Sequence, residues 1–385
     1  MSLKLVPDIK FFKNSTLCED LANHLFKKLS DSIAEFDDFN VHEKTLLIII
    51  DRRIDPLSPL LLPWTYQAMV HETFTLKNNI IHISSVPDSP NEISEINLSS
   101  ESDGIFQKNM HASFSELAKN IQEMLSEYQA LKKDHQKTET IQDIKNIVDS
   151  LPKFQKVSSL VSKHINIASD LNNTVKNLKH PQQSEFEQNM MEKDEKGRSP
   201  LNQLLNFIND PEISNHDSLR LSLIYFIKHP KIIQKEKDCI FEALTSKGIK
   251  EELKAVEHII NYSQSQKDQS ILSNMSPNPL SSPGRYLKNI VNADRIGFDS
   301  GPCISEIIKN PIKHNLLAHL PPLSGTNQSS GYLNSVFFVI GGFTYKESRE
   351  MNELQRSNHT NLYLGGTWIH NSKSFIEEIL DTYQN

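Results

Sequence analysis

Cysteine is scarce in this chain. Cys18, Cys239 and Cys303 are far apart and odd in number, with no Cys-x-x-Cys pair, so neither a disulfide framework nor a thiolate metal site is expected. A reducing, cytosolic setting follows. Long apolar runs are lacking too. None approaches the ~20 residues that span a bilayer. The opening MSLKLVPDIKFFKN has no signal-peptide core, and the final YQN carries no prenylation signal. The expectation is a cytoplasmic protein that reaches membranes only through a partner. Basic runs and interleaved aromatic-basic patterns are absent, and a net charge of -7 argues against nucleic acid as a partner.

Catalytic signatures are missing as well. Neither IGGFTYKE nor LGGTWIHN completes a phosphate loop, and no Gly-x-Gly-x-x-Gly or Gly-x-Ser-x-Gly occurs. The glycine pairs read as turns, with Thr344 and Glu347 as a capping box for the next helix. His71, His164, His314 and His370 each stand alone. No catalytic residue, metal or cofactor is therefore assigned.

What the chain does contain is a repeated strand-helix grammar at both ends. Asp8 to Phe12 and the fully apolar Leu46 to Ile50 read as strands, the second buried on both faces of a parallel sheet. Leu17, Leu21, Leu25 and Leu29 mark a helix between them. Ser58 and Pro59 look like the start of a helix reaching about Phe74. At the far end, Ser335 to Ile340 and Leu362 to Leu364 are strands, each followed by a glycine pair and a helix. This predicts an α/β parallel-sheet domain made of residues 1–85 and 286–385.

Residues 86–285 read as a large, mainly α-helical insertion with a long helical hairpin at about 112–180. Leu117, Ile121, Met124, Leu125, Tyr128 and Leu131 line one helix. Val157, Val161, His164, Ala168, Leu171, Val175 and Leu178 recur at spacings of four and three in the other, a coiled-coil-like stripe spoiled only by His164. On a helical wheel Val157, Val161, Ala168, Leu171 and Val175 share the face that packs on the first helix. Ile165 lies at one edge of it, and Leu160 and Ile167 lie towards the other. Leu151-Pro152 is expected to break or kink the helix. Two stretches, His180 to Pro200 and Ser263 to Arg285, read as flexible connectors.

The most charged feature is the end of the second strand, IIIDRRIDP. Asp51 and Asp55, with His71 and Glu72, suggest a metal site at the carboxyl end of a strand. Arg52 and Arg53 among those acids favour an ion-pair network pinning a structural corner of Asp51, Arg52, Arg53 and Asp55.

LLIIIDRRIDPLSPLLLPWTYQAMVHE resembles the signature of the SM (Sec/Munc) family of vesicle-fusion regulators. LSSESDGIFQKNMHASF, LPKFQKVSSLVSKHINIASDL and LYLGGTWIHNSKSFIEEI are similar to further family segments, in the same order along the chain. The resemblance implies a SNARE-binding regulator of vesicle docking and fusion, peripheral on Golgi and endosomal membranes. Its partners would be a syntaxin-type target SNARE and a vesicle SNARE, templated on the hairpin. It further implies that Val157, Leu160, Val161, His164 and Ile165 meet the SNAREs. Ile165 stands at the position of a SNARE-contacting leucine, and Leu151 and Pro152 form a hinge. The family's first domain, which receives the N-terminal SNARE peptide, is expected to have no counterpart here. The rival readings are a metal- or nucleotide-dependent hydrolase using Asp51 and Asp55, and a trafficking adaptor that acts without SNAREs.

Overall fold

The computed structural model describes residues 5–33, 40–83, 94–134, 141–191, 200–264, 304–309, 317–320, 332–358 and 361–382. In chain order the elements are β1 (Leu5–Phe12), α1 (Thr16–Ile33), β2 (Asn40–Asp51), α2 (Tyr66–Phe74), β3 (Ile80–Ile83), β4 (Ser94–Asn97), α3 (Gly104–Asn109), α4 (Phe114–Asp134), α5 (Ile141–Asn177), α6 (His180–Met191), α7 (Leu201–Asn209), α8 (Asn215–Lys228), α9 (Gln234–Ser246) and α10 (Lys254–Gln264). They continue with α11 (Ile304–Lys309), β5 (Leu317–His319), β6 (Asn334–Ile340), β7 (Phe343–Thr344), α12 (Tyr345–Asn358), β8 (Asn361–Gly366), β9 (Ile369–His370) and α13 (Ser372–Thr382).

The apolar run Leu46 to Ile50 forms the middle of β2, the central strand of a sheet ordered β5-β1-β2-β6-β8. Alternate residues leave a strand on opposite faces, and here they enter two separate cores. Leu46, Ile48 and Ile50 pack with Phe337, Val339 and Met351. Ile49 packs with Ile9, Phe11, Phe12 and the Cys18-Ala22 face of α1. A run apolar on every side is what burial of both faces requires. Strands from the two ends of the chain meet at β2 and β6, which run parallel with Leu46 opposite Ser335 and Asp51 opposite Ile340. The expected parallel sheet is corrected in one respect. β5 pairs antiparallel on the edge of β1, so the sheet is mixed, although mainly parallel.

The described residues fall into two compact units. One comprises Met1–Leu61, Phe186–Asn278 and Asp299–Asn385, and the other has its described residues in Leu62–Glu185. The sequence boundaries at 85 and 286 divide the chain differently, because α7 to α10 group with the sheet. Arg220 of α8 shows the reason: it is fully buried, donates to the Leu60 carbonyl at 2.7 Å and pairs with Glu187.

In the second unit, α4 and α5 form a helical hairpin beside the β3-β4 ribbon and the short helices α2 and α3. α4 starts at a capping box in which Ser113 and Glu116 each receive the other's backbone N–H.

Three local expectations change. The Ser58–Leu60 segment is only a short 3-10 turn, and α2 begins at Tyr66, because Pro63 removes an amide and keeps the residue before it out of the helical region. α5 runs unbroken through Leu151 and Pro152; one proline deletes one hydrogen bond, and the rest of the ladder carries a helix of this length across. His180–Met191 is a helix, not a connector. The Ser-rich stretch beyond Gln264, Cys303 and His314 lie outside the described residues, as do the side chains of Leu151, Pro152 and Val157.

Candidate functional site

The charged corner at the end of β2 is filled by its own residues. Asp51 accepts from the backbone N–H of Arg53 at 2.9 Å and from its Nε at 2.9 and 3.0 Å. Arg53 also donates to Ser15 Oγ at 3.2 Å. Asp55 accepts from the Ser58 N–H at 3.0 Å and hydroxyl at 2.6 Å. Arg52 is fully buried. Its guanidinium donates to the Gly342 carbonyl at 3.0 Å, the Asp55 carbonyl at 3.2 Å and both oxygens of Glu347 at 2.8 Å. Burial works against the Arg52 charge, yet the Glu347 and Asp55 carboxylates beside it raise its pKa above the ordinary arginine value. Glu347 completes the capping box with Thr344, as the sequence predicts. His71 and Glu72, grouped with these acids in the metal reading, belong to the other compact unit. Among the described residues no cluster of three or more His, Cys, Asp or Glu side chains is placed to hold a metal ion. This arrangement can hold a strand end to a helix start.

The hairpin helix α5 is the second candidate. Its buried line is Val161, His164, Ile167, Leu171 and Val175. The sequence places Ala168 on that line and Ile167 at an edge; the helix is turned slightly from that expectation, so Ile167 is fully buried and Ala168 only half-buried. Ile165 flanks the buried line, Leu160 lies within its sector towards the N-terminal end, and both keep part of their surface exposed. Val161 and His164, expected among the partner contacts, are instead inside the unit, at 5% and 0% exposure. A side chain so placed cannot touch a partner without leaving its own core.

His164 is not a flaw in an apolar stripe. Its Nδ1 lies 2.7 Å from the Tyr66 hydroxyl on α2, and its Nε2 lies 3.0 and 3.1 Å from the two oxygens of Asp103. Asp103 also caps α3, accepting from the N–H groups of Ile105 and Phe106. It pairs in addition with Lys163, which reaches the Asn97 carbonyl at 3.1 Å. Burial holds the His164 pKa below its usual value, with Asp103 opposing. Burial also pushes the Tyr66 hydroxyl well up. A carboxylate only accepts, so Nε2 carries the proton and Nδ1 accepts from Tyr66. Asp103 and Tyr66 escape sequence reading because they stand 61 and 98 residues from their common partner.

Comparison with known proteins places this geometry. The Sec1 family profile matches residues 1–378. The vacuolar protein sorting-associated protein 45 of Rattus norvegicus is 31% identical over 388 residues, covering 99% of this chain and 67% of the relative. That of Saccharomyces cerevisiae is 28% identical over 397 residues, covering 98% and 68%. A solved structure of the SM protein Vps45 in complex with the Qa SNARE Tlg2 superposes with a TM-score of 0.82 at 28% identity, covering 99% of this chain and 66% of that one. The chain thus spans about two thirds of the length of these relatives. Proteins of this family are regulators of SNAREs rather than enzymes. The chain belongs to the Sec1 family, and its similarity is to the Vps45 branch of it.

Proposed function

We propose that this protein binds a syntaxin-type Qa SNARE and a vesicle SNARE and promotes vesicle docking and fusion in Golgi, endosomal and vacuolar transport. One observation carries the reading: similarity to Vps45 bound to a Qa SNARE extends over 99% of the chain. The hairpin offers the surface. Ile165, at the edge of the buried line of α5, and Leu160, nearer the N-terminal end of that line, are apolar and partly exposed, which suits an amphipathic helix laid alongside. Val157 belongs to the same proposed contact. Membrane association runs through the SNAREs; no helix among the described residues is long and apolar enough to cross a bilayer. Leu151-Pro152 is the proposed hinge, α5 being in its extended form. Pro152→Ala, which favours that form, is expected to strengthen SNARE assembly.

The test is calorimetry of the purified protein with the cytosolic part of a Qa SNARE, followed by addition of a vesicle SNARE. Saturable binding of both is expected. Absence of Qa SNARE binding, or recovery of coat and tether proteins alone in pull-downs, sinks the reading and leaves the adaptor. The hydrolase reading has little to draw on, since Asp51 and Asp55 are both occupied by the corner.

A further inference from the structure

At about 100° per residue, the buried side chains Val161, His164, Ile167, Leu171 and Val175 cover one sector of α5, and His164 stands at its centre. The apolar stripe is wider than that sector. From Ile167 and Leu160 on one side to Val161 and Ile165 on the other it spans roughly 160°. Apolar burial is non-directional. Turned towards Ile165, the helix would bury that side chain and uncover Ile167 on the opposite margin of the sector. Either packing keeps a continuous apolar contact, so hydrophobicity alone selects neither.

We infer that Asp103 and Tyr66 are positioning residues that act through His164 to fix the rotation of α5, and so decide which apolar edge faces a partner. The imidazole is held by two bonds from two different elements. Tyr66 of α2 donates to Nδ1, and Nε2–H donates to Asp103 at the start of α3. Both are directional, and both are lost if α5 turns. Asp103 cannot follow the helix, because its Oδ1 is already committed to the α3 backbone at 2.9 and 3.1 Å. Tyr66 is likewise held, packed edge-on against Phe106 and the His164 ring. A single buried polar group can choose between otherwise similar helix packings, as a lone core Asn does in coiled coils. That device gives uniqueness at a cost in stability, which sets it apart from an ordinary structural bond.

The inference rests on the SNARE-binding reading only for what the edge contacts; the rotation itself is measured separately. The variant His164→Leu with Tyr66→Phe replaces the relay by apolar volume and leaves no orphaned hydroxyl, while Asp103 keeps its cap bonds and Lys163. The expected result has three parts. Thermal stability is retained or raised. Affinity for the cytosolic Qa SNARE falls by about tenfold or more, as when the competent rotation is only about a tenth populated. An Ile167→Cys reporter, protected in the wild-type background, becomes reactive to maleimide, read by peptide mass so that native cysteines do not interfere. Lowered stability with wild-type affinity and a protected residue 167 overturns the inference, for the relay is then only structural. Tyr66→Phe alone covers the case in which the double variant fails to fold: a protected residue 167 and affinity within about twofold of wild type overturn it equally. If wild-type protein does not bind the SNARE, the functional reading fails, and the residue 167 reporter still decides whether the relay sets the rotation.

Discussion

The Arg52 guanidinium grips both carboxylate oxygens of Glu347 at 2.8 Å, across 295 residues of sequence, with both side chains almost wholly buried. The pair ties the end of β2 to the start of α12, and one carboxylate serves both the arginine and the helix cap. Glu347→Gln keeps much of the shape and removes the charge, leaving Arg52 to the more distant Asp55 at 3.8 Å. A loss of about 3–5 kcal/mol is expected for breaking a buried pair from one side. Urea unfolding with an unchanged m-value measures it. Arg52→Lys should also destabilise, because one ammonium cannot serve the Gly342 carbonyl, the Asp55 carbonyl and the Glu347 carboxylate at once, as the three guanidinium nitrogens do.

Gly342 and Gly104 form a matched pair. Gly342 has φ +78°, and a Cβ there would stand 2.4 Å from Cδ2 of His370 and 2.9 Å from the Trp368 carbonyl. Gly342→Ala is expected to cost at least about 2 kcal/mol, from a backbone that side chains rarely adopt and a contact that must open. Gly104, in the first turn of α3, has nothing within 4 Å of its would-be Cβ. Gly104→Ala should be neutral or stabilising by about 0.5–1 kcal/mol. Thermal unfolding of both variants checks the contrast.

Acid should loosen the protein before its carboxylates titrate. His216 bonds to Ser372 Oγ at 2.7 Å, and its pKa is pushed down to about 4, first by burial and then by Arg220, with Asp217 opposing and Lys373 adding to the depression. The unfolded chain takes up this proton near pH 6.5 and the folded chain only near 4. Stability is therefore full above about 6.5 and falls as pH drops towards 4. His164, also depressed, adds loss of the same sign. His216→Gln should flatten the slope of unfolding free energy between pH 6.5 and 4. An unchanged slope would mean that His216 does not carry it.

Ile165 and Val161 separate contact from core. Ile165→Asp places its charge on a partly exposed edge and should weaken SNARE pull-down, with a stability loss of about 1 kcal/mol or less. Val161→Asp buries an unpaired carboxylate at a site 5% exposed and should unfold the hairpin. An Ile165→Asp protein that binds SNAREs normally rules out this edge.

The sheet was readable because its signal is local. Leu46 to Ile50 announce a strand covered on both sides, and Gly341-Gly342 mark the turn after β6; Gly365 and Gly366, read as a turn, are instead the last residues of β8, paired with Phe338 and Val339. β5 was not readable: Leu-Ala-His is three residues long, and only pairing with β1 makes it a strand. α6 hid because its helical period is carried partly by polar residues, with His180, Gln183, Ser184 and Glu187 buried alongside Phe186 and Met190. At the candidate site, the stripe of α5 was visible but its rotation was not, since that depends on Tyr66 and Asp103 far away in sequence. His164 looked like an interruption for the same reason. The acids at the corner were legible as paired, because their arginines are neighbours; the Glu347 partner of Arg52 was not.

Joining both chain ends in one sheet also has a consequence for synthesis. Thr45 of β2 waits for Asn334 of β6, about 290 residues further on, and at ribosomal speed that is a delay of roughly 15–60 s. Throughout it, the most apolar strand of the nascent chain can have β1 and α1 beside it but lacks β6 on its other edge. Such an edge is a template for pairing with other chains. Yield in cells should therefore depend on chaperone supply during translation more steeply than the stability of the finished fold suggests.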